Sequence, residues 1–160
     1  MIIVYYDVGG SHSSVIAANI HINRLSGDKI PSKNDLLNLP TFDKLKKNQI
    51  GHLIYIGTDE YDNMVYTLAC KNAMNVVIPA MTDLYNEMHK NENINNLLMV
   101  CTQSAVNLLM KIGGGSSRKL IMVAFGRPIV TNGSLKAFPQ IAAIVKNTKK
   151  QIEAQFKKKR

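Results

Sequence analysis

The sequence predicts a single α/β domain, a mainly parallel sheet flanked by helices with an antiparallel hairpin inserted in the middle. Three observations predict it. Short apolar runs, IIVYY at 2–6, LLMVCT at 97–102 and LIMVAF at 120–125, have the length and continuity of strands buried on both faces. Segments of helical spacing separate these runs, as parallel crossovers require. Between them, LIYIGTDEYDNMVYTLA at 53–69 places two further runs about a polar turn at residues 60–63, the pattern of a hairpin with a longer loop.

The elements follow in order. After the first strand, the loop DVGGSHSS leads into a helix capped by Ser13 or Ser14 and running to about Arg24. Val15, Ala18, Ile22 and Leu25 supply its apolar stripe. Pro31 and Pro40 divide residues 27–49 into two short helical pieces with Ser32 and Thr41 as N-caps. Leu36, Leu37, Leu39, Phe42 and Leu45 let this segment dock, either as a lid or as a plain connection. Residues 73–90 are helical, with Pro79 inside the helix or marking its true start. A helix from about Ser104 to Ile112 stops at Gly113-Gly114-Gly115. The strand at 120–125 ends at Gly126-Arg127-Pro128. The last helix begins after Asn132-Gly133-Ser134, a triplet that reads as a turn rather than as a glycosylation acceptor. Phe138, Ile141, Val145, Thr148, Ile152 and Phe156 form its buried face.

Composition narrows the function classes. With 46% hydrophobic and 19% charged residues the chain is too apolar for a disordered protein. No apolar run approaches the roughly 20 residues of a membrane-spanning helix, and MIIVYYDVGG reads as a strand rather than a signal peptide. Cys70 and Cys101 have neither metal-ligand nor redox-motif spacing and are expected to be reduced thiols in a cytoplasmic protein. The net charge is +9, but residues 145–160 carry seven Lys or Arg against one Glu, so six of the nine charges belong to the C-terminal end. Solvated charge suiting the negative pole of a terminal helix accounts for this, with nucleic acid or an anionic membrane surface as the alternative partner.

In an open α/β sheet, ligands bind at the carboxyl ends of parallel strands. That rule selects residues 7–14, Thr102-Gln103-Ser104 and Gly126-Arg127, and it sends GGGSSRK at 113–119 to the opposite edge. GGSHSS lies between a strand and a helix, where Gly9 and Gly10 permit positive φ and clear space for an anion. Ser11, Ser13, Ser14 and Thr102 add hydroxyl donors, Arg127 a bidentate clamp, and His12 a group that donates a bond or shuttles a proton. The loop lacks the glycines and lysine of a Walker A motif and the spacing of a dinucleotide fingerprint, so it names no cofactor. Asp7 stands at the strand end, as a metal ligand or base, or as an acceptor for the loop's own amides that repels an incoming anion. Asp59-Glu60 is explained by the hairpin turn, and His21, His52 and His89 have no metal-ligand spacing.

YYDVGGSHSS, IPSKNDLLNLPTFD at 30–43, IYIGTDE at 54–60, GGGSSRK and GRP together resemble an uncharacterised family, a domain of unknown function of Gram-positive spore-forming bacteria. The resemblance covers nearly the whole chain as one domain. It implies a cysteine in many members at the place of Asp7, so a thiol mechanism does not carry over, and it brings Arg118 into consideration beside the site. The expectation is a protein that binds a phosphate-bearing or other anionic small molecule at GGSHSS, with His12 as the catalytic candidate should it be an enzyme. The alternative is a non-enzymatic interaction or regulatory protein using the hairpin or the basic terminal helix. A homodimer is a further expectation, because the hairpin leaves an open sheet edge.

Overall fold

The computed structural model of the chain describes residues 1–91, 96–116 and 123–158. IIVYYD forms β1 (Ile2–Asp7), and the hairpin forms β2 (Leu53–Thr58) and β3 (Met64–Ala69); LLMVC forms β4 (Leu97–Cys101). They make one sheet of order β2-β3-β1-β4, in which β1 is parallel to both β3 and β4 and β2 is antiparallel to β3. β1 is thus hydrogen-bonded on both edges, which is why its apolar run is continuous. Ile3 and Tyr5 enter the larger core and Val4 the smaller one on the other face. β2 is an outer strand, its pairing broken by a bulge between Tyr55 and Gly57.

Two helices cover the larger core. α1 (Ser13–His21) has every residue buried, and α5 (Val123–Lys158) lies against it. Phe138, Ile141, Val145, Thr148 and Ile152 are buried along α5 as their spacing predicts, whereas Phe156 is 43% exposed, beside the Tyr61 ring of the hairpin turn. The opposite face is thinly covered. There, α3 (Met74–Met88) contributes Met74, Val77, Ile78 and Met81 against Val4, Leu68 and Cys70, with no fully buried residue of its own. Pro79 lies within this helix. Of the 27–49 segment, α2 (Lys33–Asn38) is helical, with Ser32 accepting from the Asp35 amide and Asp35 accepting from the Ser32 amide. Leu36, Leu39 and Phe42 dock it on the main core.

Five expectations are corrected. Residues 123–125 open α5 rather than ending a strand, and Arg127 and Pro128 lie inside that helix; residues 120–122 fall outside the described residues. A continuous apolar run cannot distinguish a buried strand from a helix, and here the helix wins. Asn132-Gly133-Ser134 is likewise helical, not a turn. Gly133 lets α5 approach α4 (Leu108–Ser116) so closely that a Cβ there would stand 2.9 Å from both the Leu109 Cβ and the Met110 amide nitrogen. The glycines 113–115 continue α4 to Ser116 instead of stopping it, while Ser117, Arg118 and Lys119 lie outside the described residues. Neither Ser13 nor Ser14 caps α1: its N-cap is His12, without a side-chain capping bond. Nor does Thr41 start a helix, since the next helical turn is a 3-10 turn at Lys47–Gln49.

Candidate functional site

Because β1, β3 and β4 are parallel, the segments after Asp7, Ala69 and Cys101 meet at one edge. The Asp7 carboxylate, 3% exposed, organises that edge. Its Oδ1 accepts the Gly10 amide, and its Oδ2 accepts the Ser13 hydroxyl at 2.5 Å, the Ser14 amide at 2.9 Å and the Thr102 hydroxyl at 3.5 Å. Thr102 also reaches the Ser13 hydroxyl at 3.1 Å and the Tyr6 carbonyl at 3.2 Å. Donors that a phosphate would use at a strand-to-helix loop are therefore taken by an anion of the chain's own, sitting at the positive end of α1. From the neighbouring strand-end loop, the Gln103 side-chain oxygen accepts the Val8 amide at 3.1 Å.

Gly10 has φ +65°, and a Cβ there would come within 2.4 Å of the Ala69 Cβ and 2.8 Å of its Cα. The glycine is accounted for by loop-on-strand packing and by left-handed backbone. The Cys70 amide donates to the Asp7 carbonyl at 3.0 Å, closing the loop onto the end of β3. Burial, followed by the nearby Asp7 charge and Cys101, pushes the Cys70 thiol up to about 11 and away from the reactive thiolate.

Outside this braced loop, three segments far apart in sequence bring three polar side chains together. His12 Nε2 lies 3.3 Å from Asp43 Oδ1, and Arg127 Nε donates to Asp43 Oδ2 at 3.2 Å. Asp43 is held by its own left-handed backbone (φ +53°) and by its amide, which donates to the Ser11 carbonyl at 3.1 Å. Phe42, buried in the core, meets the His12 ring edge-on with centroids 5.3 Å apart. His12 and Asp43 are almost covered, while the Arg127 side chain is 47% exposed, with only Nε hydrogen-bonded among the described residues. Chemically this is a histidine oriented by a carboxylate beside a guanidinium with free donors, able to hold an anion and to exchange a proton. Of the residues expected at the site, Ser13, Ser14 and Thr102 gather on Asp7, whereas His12 and Arg127 gather on Asp43. Asp43, the hub of the second group, was not among them.

A separate buried chain runs through the opposite end of the domain. The Tyr5 hydroxyl donates to His21 Nδ1 at 2.7 Å, and His21 Nε2 donates to Asp59 Oδ2 at 3.1 Å. Asp59 also accepts the Tyr61 and Asn63 amides and the Asn63 side chain. Burial lowers the His21 pKa against the pull of Asp59, and burial raises Tyr5. Burial works to raise the Asp59 carboxyl, but its bonds from Asn63, Tyr61 and His21 prevail and hold it below the usual range. Enclosed on all sides, this network ties β1, α1 and the hairpin turn together and offers no place for a substrate. Among the described residues no group of His, Cys, Asp and Glu is placed to hold a metal ion, and no helix is long and apolar enough to cross a membrane.

A family model described as "Protein of unknown function (DUF3189)" matches residues 2–150. The chain belongs to this family. No curated protein and no solved structure matches the chain. The DUF3189 match spans all four strands, the Asp7-braced loop and the His12–Asp43–Arg127 cluster, and ends within α5.

Proposed function

We propose that this DUF3189 protein binds a small molecule carrying a phosphate or other anionic group at the carboxyl edge of its sheet. The anion is held by Arg127, beside the GGSHSS loop, and His12 gives or takes a proton. The observation that carries this reading is the convergence of His12, Asp43 and Arg127 from three separate segments where α/β sheets take their ligands. Asp7 already engages Gly10, Ser13, Ser14 and Thr102, so these residues with Gly9 and Ser11 build the rim, and the anion sits outside it. Thermal unfolding against inorganic phosphate, nucleotides, sugar phosphates and carboxylates tests the reading. A compound at about 100 times its Kd stabilises the fold by about 2.7 kcal/mol, a rise of roughly 5–10 °C for a domain of this size. Arg127→Gln abolishes that rise while the variant remains folded. A rise untouched by Arg127→Gln refutes the assignment.

One observation favours a second reading, an interaction protein that pairs with its own copy. The outer strand β2 contains no charged residue, and its Leu53 and Tyr55 are 41% and 54% exposed. In a chain of net charge +9, a second copy meets least repulsion along such an uncharged edge, with β2 antiparallel to its symmetry mate. Light scattering coupled to size exclusion decides: a dimer converted to monomer by Tyr55→Glu supports it, and a monomer at every concentration rules it out.

A further inference from the structure

At the far end of the domain from the carboxyl edge, a groove of about 700 Å³ opens between α5 and the segment following α1. Its position is fixed by Lys149, which bonds Glu60 at 2.9 Å in the hairpin turn, next to the amino end of β1. The volume lies within the range of small-molecule sites. The lining divides by chemistry. Ile20, Phe138 and Val145 are buried beneath it, and Ile30 stands at its wall, 55% exposed although it is a large apolar side chain. Lys146 and Lys150, one turn apart on α5, stand at the rim and make no hydrogen bond or ion pair among the described residues. Asp28 and Glu153 also line the groove and offset these two lysines, and Glu60 offsets Lys149, so the groove carries no net charge and the attraction for an anion is local to Lys146 and Lys150.

We infer that this groove is a second binding site, for a small amphiphilic anion whose apolar body lies on Ile30 and Phe138 and whose head group pairs with Lys146 and Lys150. The apolar wall accounts for selectivity against simple anions, and the paired ammonium groups account for selectivity against neutral chains. Ile30 loses its exposure when the groove is filled. The inference is independent of the carboxyl-edge reading, since the two sites share no residue.

Decanoate, decanol and acetate serve as probes in calorimetric titrations of the full chain. Decanoate is expected to saturate one site, with decanol about tenfold weaker and acetate unbound. Lys146→Gln with Lys150→Gln brings decanoate down to the affinity of decanol. Ala143→Phe, at an exposed groove position, weakens both chains, with circular dichroism confirming the fold. Arg127→Gln leaves decanoate binding unchanged. The inference is overturned if decanoate shows no saturable binding below its micelle-forming concentration, if it and decanol bind equally well, or if Arg127→Gln removes the binding.

Discussion

Replacing Asp7 by Ala removes the acceptor for two buried amides and a buried hydroxyl at once, and the structure sets the size of the loss. Each bond to the carboxylate is charge-assisted, and hydrogen bonds of that kind contribute about 1.5–3 kcal/mol. Thr102 loses little, because at 3.5 Å its bond to Asp7 is long and the Tyr6 carbonyl at 3.2 Å still accepts from it. Three orphaned donors at even the low end of that range cost about 4.5 kcal/mol, close to the whole stability of a weak domain. The melting temperature falls by roughly 10–20 °C at this chain length. Asp7→Asn does better, since its side-chain oxygen still serves Gly10, but its amide faces the Ser14 N–H donor to donor and costs about 2–3 kcal/mol. The cavity in Asp7→Ala is shaped for a carboxylate, so formate or acetate restores part of the lost melting temperature where chloride does not. The assay is differential scanning calorimetry of the three proteins with and without 50–200 mM formate (concentrations of the order used for weak anion sites). If Asp7→Ala melts within about 2 °C of the native protein, the reasoning that Asp7 holds this loop fails.

Other expectations follow from the same structure. Gly10→Ala loses about 2–4 kcal/mol in urea unfolding, from left-handed backbone and collision with Ala69, with no change in phosphate affinity where the variant is folded. Gly133→Ala, although alanine favours helix by about 1 kcal/mol, lowers stability by about 1–3 kcal/mol, because its Cβ forces α4 and α5 apart; calorimetry checks the sign. Stability falls on the acid side in two stages. His21 has a folded-state pKa below its unfolded value near 6.5, so its contribution is complete above that pH and declines as pH drops through it. Asp59, also lowered, contributes above its unfolded value near 3.9 and loses that contribution as pH falls through its folded value. Urea midpoints between about pH 7.5 and 3 measure both, and His21→Gln removes the first stage.

Much of the fold was legible because period and length are local properties. The central strand, the hairpin with its turn near residues 60–63, and the strand at 97–101 all follow from apolar runs and turn residues within a few positions of each other. Residues 123–125 of LIMVAF were misread because a short apolar run suits a strand and a helix alike, and the partner that decides between them lies elsewhere in the chain. Ser13 has the composition of an N-cap, yet its hydroxyl goes to Asp7, six residues back and on the strand. The role of Asp7 as acceptor for its own loop was one of the two readings open from sequence, since a carboxylate beside GGSHSS competes with any incoming anion. Asp43 carried no local signal: it meets His12 across 31 positions and Arg127 across 84, and only the fold places it. The Tyr5–His21–Asp59 chain escaped for the same reason, its aspartate being fully explained by the turn it also serves.

The most direct test of the carboxyl-edge site is an amide and side-chain NMR titration of the native protein with inorganic phosphate and then with the best compound from the thermal screen. Saturable shifts at His12, Asp43 and the Arg127 guanidinium, abolished in Arg127→Gln, are the expected result. Shifts that grow linearly without saturating, or that concentrate away from those three residues, contradict it.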